Sequence, residues 1–253
     1  MVILEHMKET DHESLTRLVA EGAGEYLRHL SVDSVIFSFH EGKLKVLLLR
    51  MKDLPQYALP GGYVRNDEGV DEAAHRILAE RTGLGEVFLE QCGTFGDRDR
   101  TGEDRGEGLF RSLGADLPPG NWLRERFVSV SYYALVNHDL AHPQPGFFAT
   151  ECSWHSVTHL PDMIFDHARI IRKAQETLKQ HLDYKLLGSN LLPETFTMNE
   201  LQRLYEAVLG RTLLRANFQR KMLGLGILER LDKKFGGGAH KAPYLYRFKL
   251  LEH

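Results

Sequence analysis

Cysteine is almost missing from this chain: two residues, Cys92 and Cys152, in 253. Two thiols without metal-site spacing exclude a disulfide framework and a cysteine-rich zinc module, so a reduced, cytoplasmic protein is expected. Long apolar runs are missing too. None approaches the roughly 18 residues of a membrane span, so no membrane partner is expected. The opening MVILEHMKETDHESL lacks a basic stretch followed by an apolar core and is not read as a secretion signal. No internal repeat is visible. What remains is ordinary globular material, 42% hydrophobic and 26% charged, enough for a buried core.

Net charge is small, −3, but unevenly spread. Between Arg211 and Lys249 stand ten basic residues and two acidic ones, a net +8, which leaves −11 for the remainder. A basic tail on an acidic body is the footprint of a nucleic-acid partner.

Hydrophobic periodicity divides the chain. Leu15, Leu18, Val19, Tyr26 and Leu27 have helical spacing behind Asp11, which predicts a helix over 9–29 within an N-terminal extension, residues 1–29. Two β-rich runs, 32–39 and 44–49, flank Glu41-Gly42, a hairpin signal. Pro55, Pro60, Gly61 and Gly62 mark a loop. A helix follows over 71–80 with Val70, Ala73, Ala74, Ile77 and Leu78 on its apolar stripe. Strands are predicted at 87–94 and 127–136, and a helix at 168–182. Strands mixed with two long helices predict an α/β sandwich over 30–183. The polar segment 97–126 is longer than most loops, and is read as a lid, a partner contact or a disordered insertion.

A boundary falls near Gly188-Ser189-Asn190. Beyond it, Thr197 and Glu200 form a capping-box pattern before a helix over 198–209, which Gly210 ends. A second helix over 214–223, a strand at 227–231, a Gly-rich turn and a return strand at 244–248 complete the order of a winged helix, residues 187–250.

One motif carries most of the functional information. Gly62, Glu68, Arg76, Leu78, Glu80, Gly83 and Leu84 stand at the spacing of the Nudix box: Gly, five residues, Glu, seven residues, then Arg-Glu-apolar-any-Glu-Glu-any-Gly-apolar. Two positions fail. Ile77 stands where one metal-binding Glu belongs and Arg81 where another does. A hard divalent cation needs several carboxylate oxygens in one cluster, and i, i+3, i+4 spacing puts them on one helix face. Here one carboxylate remains, beside a guanidinium that repels a cation and can hold a phosphate or carboxylate itself. No metal, cofactor or hydrolase activity is therefore expected. Glu68 and Arg76 are read as a structural ion pair.

With that degenerate box, FGDRDR (Phe95–Arg100), SVSYYAL, LPDMIFDHARII and the tail from NLLPETFTMNELQRLYEAVLG to NFQRKMLGLGILER, the chain resembles the Nudix-related transcriptional regulators of the NrtR family over most of residues 30–249. The resemblance implies a Nudix-type α/β/α sandwich followed by a C-terminal winged helix-turn-helix domain. It implies a homodimer on a palindromic double-stranded DNA operator, most often as a repressor, with a small effector in the Nudix-like cleft. The family's effectors are ADP-ribose in one branch and a sugar or its derivative in another. The broken metal set favours a pentose or sugar phosphate over ADP-ribose, controlling sugar catabolism or NAD metabolism respectively.

The residues placed at the effector are Arg50, Tyr63, Glu80, Arg81, Phe95, Asp97 and Arg98. Those placed at DNA are Arg215, Asn217, Gln219, Arg220 and Lys221 on the second helix, with His240 and Lys241 on the wing. Arg reads guanine and Asn or Gln reads adenine in the major groove, while a flexible basic wing suits the backbone or minor groove. Two alternatives stay open. One is an active, metal-dependent ADP-ribose pyrophosphatase using Glu72, Glu80 or Glu151. The other is a winged helix used for protein contact.

Overall fold

The computed structural model describes residues 11–85, 87–102, 106–146, 148–182, 191–233 and 242–249. Helix α1 (Asp11–Glu25) runs directly into the long strand β1 (Tyr26–His40), so the expected helix stops short of residue 29. His29, at φ +68°, sits where the pairing of β1 shifts register between Tyr26 and Ser31. Glu41 and Gly42, both at positive φ, form the hairpin turn into β2 (Lys43–Met51). Short strands β3 (Tyr57–Ala58) and β4 (Gly61–Arg65) follow, then α2 (Val70–Thr82), β5 (Phe88–Phe95), a short helix α3 (Glu107–Ser112), β6 (Val128–Leu135), β7 (Ala149–Ser156) and α4 (His167–His181).

Among the described residues seven strands form one mixed sheet, with β1 at its centre. β1 pairs in parallel with β6 along its length, antiparallel with β4 through one half and antiparallel with β2 through the other. β5 closes one side against β6, and β7 pairs with β2. Period-two alternation sorts the side chains. Val32, Ile36, Tyr132 and Ala134 face α2 with Ala74, Ile77 and Leu78, whereas Val35, Phe37, Tyr133 and Leu135 face α4 with Ile170, Ile171, Ala174 and Leu178. The sheet is thus sandwiched between α2 and α4, the expected α/β/α arrangement.

Segment 97–126 is not a featureless loop. Phe110, Leu117, Trp122, Leu123 and Phe127 form a small core of their own with Leu15 and Leu18 of α1. The Trp122 indole donates to the Leu18 carbonyl (3.3 Å), and Asn121 donates to that of Val19 (2.9 Å). Gly22 is required here, because a Cβ would lie 2.6 Å from the Trp122 ring.

The C-terminal module holds β8 (Phe196–Thr197), α5 (Met198–Leu209), α6 (Arg215–Gly224), β9 (Leu228–Lys233) and β10 (Tyr244–Phe248), with strand order β8-β10-β9. The capping box is present: Glu200 N donates to Thr197 Oγ1 (3.2 Å) and Thr197 N to Glu200 Oε2 (2.6 Å). Gly210 ends α5 at φ +70°. Leu201, Leu204, Tyr205, Phe218 and Met222 join the same core as Leu178 and Leu182 at the far end of α4. No helix among the described residues is long and apolar enough to cross a membrane.

Candidate functional site: a pocket at the head of α4 and a basic helix beyond its tail

The Nudix-like segment keeps its scaffold. Arg76 donates from Nε to Glu68 (2.9 Å), from Nη2 to its other oxygen (2.5 Å) and to the Tyr63 carbonyl (3.0 Å), and Glu68 also accepts from Arg65 N. The Arg76 hydrogen bond holds the Glu68 carboxyl below its ordinary range. The pair ties β4 to α2, as the sequence predicted. Ile77, 1% exposed, packs under the backbone, and a Cβ on Gly62 would come within 3.1 Å of it. Gly62 is therefore fixed by Ile77 itself. Glu80 turns outward to Arg76 (3.3 Å). Glu72 accepts from Gly69 N (2.7 Å) at the start of α2, and Glu151 stands on β7, paired in register with Arg50 of β2.

Arg81 points the other way. It lines a pocket of about 150 Å³ between the sheet and the 97–126 segment, and burial pushes its guanidinium below its ordinary pKa. Its Nε is buried without a hydrogen-bond partner, and no ion pair to Arg81 is present among the described residues. Gly146 packs against the guanidinium so closely that a Cβ there would overlap it.

The opposite wall of the pocket is a buried polar network. Arg100, its side chain 5% exposed, donates to Asp33 Oδ2 (3.2 Å) and to Asp166 (2.9 and 3.3 Å). Ser129 also donates to Asp33 (2.6 Å), and His167 Nε2 lies 3.6 Å from its other oxygen. His167 Nδ1 accepts from Leu59 N (3.0 Å), which requires the neutral ring protonated at Nε2. Burial first of all pushes the His167 pKa down, consistent with that state. Tyr63, Phe110, Leu123, Phe127 and Phe148 supply the apolar surface between the two polar ends. Burial holds the Tyr63 phenol far above its ordinary pKa.

Of the residues the sequence placed at the effector, the pocket brings together Tyr63 and Arg81. Arg50 faces a separate cleft with Asp53, Thr150 and Glu151. Phe95 is buried in the main core, with Arg169 over its ring at 5.7 Å. Asp97 pairs with Arg169, and Arg98 is exposed. Asp33, Arg100, Asp166 and His167 were missed. Their signals were present: a lone Asp inside an apolar strand, the last residue of FGDRDR, and Asp-His at the head of α4.

On α6, Phe218 and Met222 are buried, while Arg215, Asn217, Arg220 and Lys221 are exposed and Gln219 is half-buried. Arg220 donates to Asn217 Oδ1 (3.2 Å). Lys221 leans over the Tyr205 ring at 6.0 Å, towards α5. Leu214, just before α6, is 75% exposed. His240 and Lys241 lie outside the described residues.

A Nudix sandwich joined through α4 to a winged helix with a basic outer helix defines a sensor–reader protein. The NUDIX domain family matches residues 27–174 and the NrtR DNA-binding winged helix domain matches residues 188–248, so the chain belongs to the NrtR family of Nudix-related regulators. It is 32% identical over 231 residues to the ADPR responsive transcriptional repressor NtrR of Acinetobacter baylyi, covering 88% of this chain and 83% of that one. Shewanella oneidensis NrtR is 28% identical and superposes with a TM-score of 0.67, covering 88% of this chain and 94% of that one. The same Shewanella protein complexed with a 27mer DNA superposes at 0.66, with the same identity and coverage.

Proposed function

We propose that the chain is a transcriptional repressor whose Nudix-like domain, residues 30–183, senses ADP-ribose without hydrolysing it. Its winged helix, residues 187–250, would hold a palindromic operator as part of a homodimer. The observation that carries the sensing half is the desolvated, unpaired Arg81 in the pocket. A Nudix site normally meets a diphosphate through a metal held by carboxylates. Here the positive charge is built into the protein, and a guanidinium fork suits phosphate oxygens. The broken metal set, which from sequence alone favoured a sugar, thus loses its force against ADP-ribose. The name of the Acinetobacter relative adds weight to the diphosphate.

Arg81 would take the phosphates, Tyr63 and the neighbouring aromatic wall a ring face, and Asp33, Arg100 and His167 the ribose hydroxyls. Arg215, Asn217 and Arg220 would reach base edges, with Gln219 and Lys221 at the rim. His240 and Lys241 remain proposed wing contacts.

The test is fluorescence anisotropy on DNA upstream of the chain's own gene and its neighbours, at fixed salt, with and without ADP-ribose, L-arabinose, xylose and their phosphates. Competitor-resistant binding released by ADP-ribose is expected, unchanged by EDTA. Release by a pentose phosphate alone would overturn the effector. Turnover of ADP-ribose with magnesium or manganese would overturn the non-enzymatic half. Loss of one charge-assisted contact is worth about 1.5–3 kcal/mol, so Arg81→Met is expected to weaken ADP-ribose binding by roughly 10- to 100-fold in calorimetry.

A further inference from the structure

β1 and β6 run in parallel register up to the pair Phe37 and Leu135. His40 and His138 each lie three residues past that pair, so they arrive at the same end of the sheet. Their rings stack at 3.9 Å with an interplanar angle of 17°. Asp139 joins them: His138 Nδ1 and Asp139 Oδ1 are 3.3 Å apart, and one donor atom from each of the three residues lies within 4.8 Å of the others. Glu41 adds a carboxylate 3.9 Å from His40 Nε2. No other such cluster occurs among the described residues.

We propose that His40, His138 and Asp139 form a binding site for a borderline transition-metal ion such as Zn²⁺, separate from the Nudix-like pocket. Imidazole nitrogen with carboxylate oxygen is the donor set such ions select, in preference to Mg²⁺ or Ca²⁺, which take all-oxygen shells. Bonds of about 2.0–2.1 Å put tetrahedral donors about 3.4 Å apart. The three donors therefore need to close by little more than an ångström. Imidazole lone pairs lie in the ring plane, so the two stacked rings must also swing out of parallel to meet one ion. His40 is half-exposed, Asp139 is open to solvent, and His138, beside Trp154, keeps 25% of its side chain exposed. The backbone beneath is already turned, with Asp139 N donating to Asn137 Oδ1 (3.0 Å) and Leu140 N to the Asn137 carbonyl (3.2 Å). Glu41 or water would complete the shell.

The location gives such an ion something to act on. His40 ends the strand whose hairpin turn includes Gly42, and Gly42 shares a cleft with Gly210 and Arg211 at the end of α5. A metal here would clamp the hairpin to the loop after β6 beside the DNA module.

Trp154 reports on the site, its ring centroid 5.5 Å from that of His138. The experiment uses the full-length protein free of any affinity tag. Zn²⁺ is titrated by calorimetry, and Co²⁺ by tryptophan fluorescence, which an open-shell ion quenches at short range. One Zn²⁺ per chain is expected, with saturable quenching by Co²⁺. His40→Ala and His138→Ala should each weaken binding at least about tenfold, as loss of a directly bonded ligand exceeds the 10- to 100-fold cost typical of an outer-shell change. Trp154→Phe should abolish the quenching and keep the Zn²⁺ stoichiometry. Thermal melting checks that each variant folds, and Asp139→Asn, at an exposed position, gives a weaker-binding control should a histidine variant fail. Binding weaker than about 100 µM, or an affinity untouched by all three substitutions, would overturn the site.

Discussion

At the scale of single residues, the two replaced positions of the Nudix segment have opposite fates. Ile77 is core and Arg81 is pocket. Restoring the acid at the first, Ile77→Glu, would bury a carboxylate among Val32, Val64 and Ala74 with Gly62 closing over it. Such a charge costs about 3 kcal/mol or more, which lowers the melting temperature of a chain this size by roughly 6–12 °C. A scan that finds no shift would show that the helix face opens more readily than its packing indicates. His167 sets a pH dependence. Its folded pKa is depressed by burial, so the unfolded chain takes up the proton first as pH falls. Stability is therefore full above about pH 6.5, the ordinary histidine value, and declines below it until the folded ring also titrates. Melting curves between pH 8 and 5 should show this fall, and His167→Gln should flatten part of it. Both residues were readable to different depths. The loss of a Glu at 77 and 81 was plain, because the spacing is rigid. That Asp33, Arg100 and His167 meet was not, because their meeting depends on how β1, the insertion and α4 pack, and no local pattern encodes it.

At the scale of elements, local chemistry was legible where a turn or cap fixes the backbone. Glu41-Gly42, the Thr197–Glu200 box and Gly210 each mark an end that the structure keeps. Strand β7 was missed because ATECSWHS is polar and mostly half-exposed, with no alternation to find. The 97–126 segment was read ambiguously because its charged flanks hide Leu109, Phe110, Trp122 and Leu123. Phe110, Trp122 and Leu123 pack with Leu117 and against α1, while Leu109, Phe110 and Leu123 line the pocket, contacts that no local pattern announces. The segment is thus one wall of the pocket, anchored to α1 by the Trp122 indole. Trp122→Ala removes that anchor at a cost of about 3–5 kcal/mol to the local core. ADP-ribose release measured by stopped flow is expected to accelerate, with operator affinity of the ligand-free protein unchanged. Equal release rates would mean that α1 plays no part in retention.

At the scale of the molecule, α4 joins the pocket to the winged helix. Its first residue, His167, faces the pocket, and its last turns share a core with α5 and α6. Fifteen residues of helix span about 22 Å, a stiff rod rather than a tether. Asp166, at its N-cap, gives its side chain to Arg100 and not to the helix. A ligand that draws on Arg100 would pull on this joint, and any coupling needs the two arrangements to differ in ligand affinity. Asp166→Asn is expected to leave the operator affinity of the ligand-free protein within about twofold while shrinking the ligand-induced change, typically worth about 1–3 kcal/mol, by more than half. Anisotropy titrations with and without ligand would decide it, and an undiminished response would place the joint elsewhere.

The continuity of that core also says how such a protein can change over evolutionary time. A reader domain on a slack linker can be traded between sensors with little loss. Here Leu178 and Leu182 are as much part of the winged helix as Leu204 and Phe218 are. Any exchange of partner would have to carry the end of α4 with it, or leave Leu204 and Phe218 without part of their core.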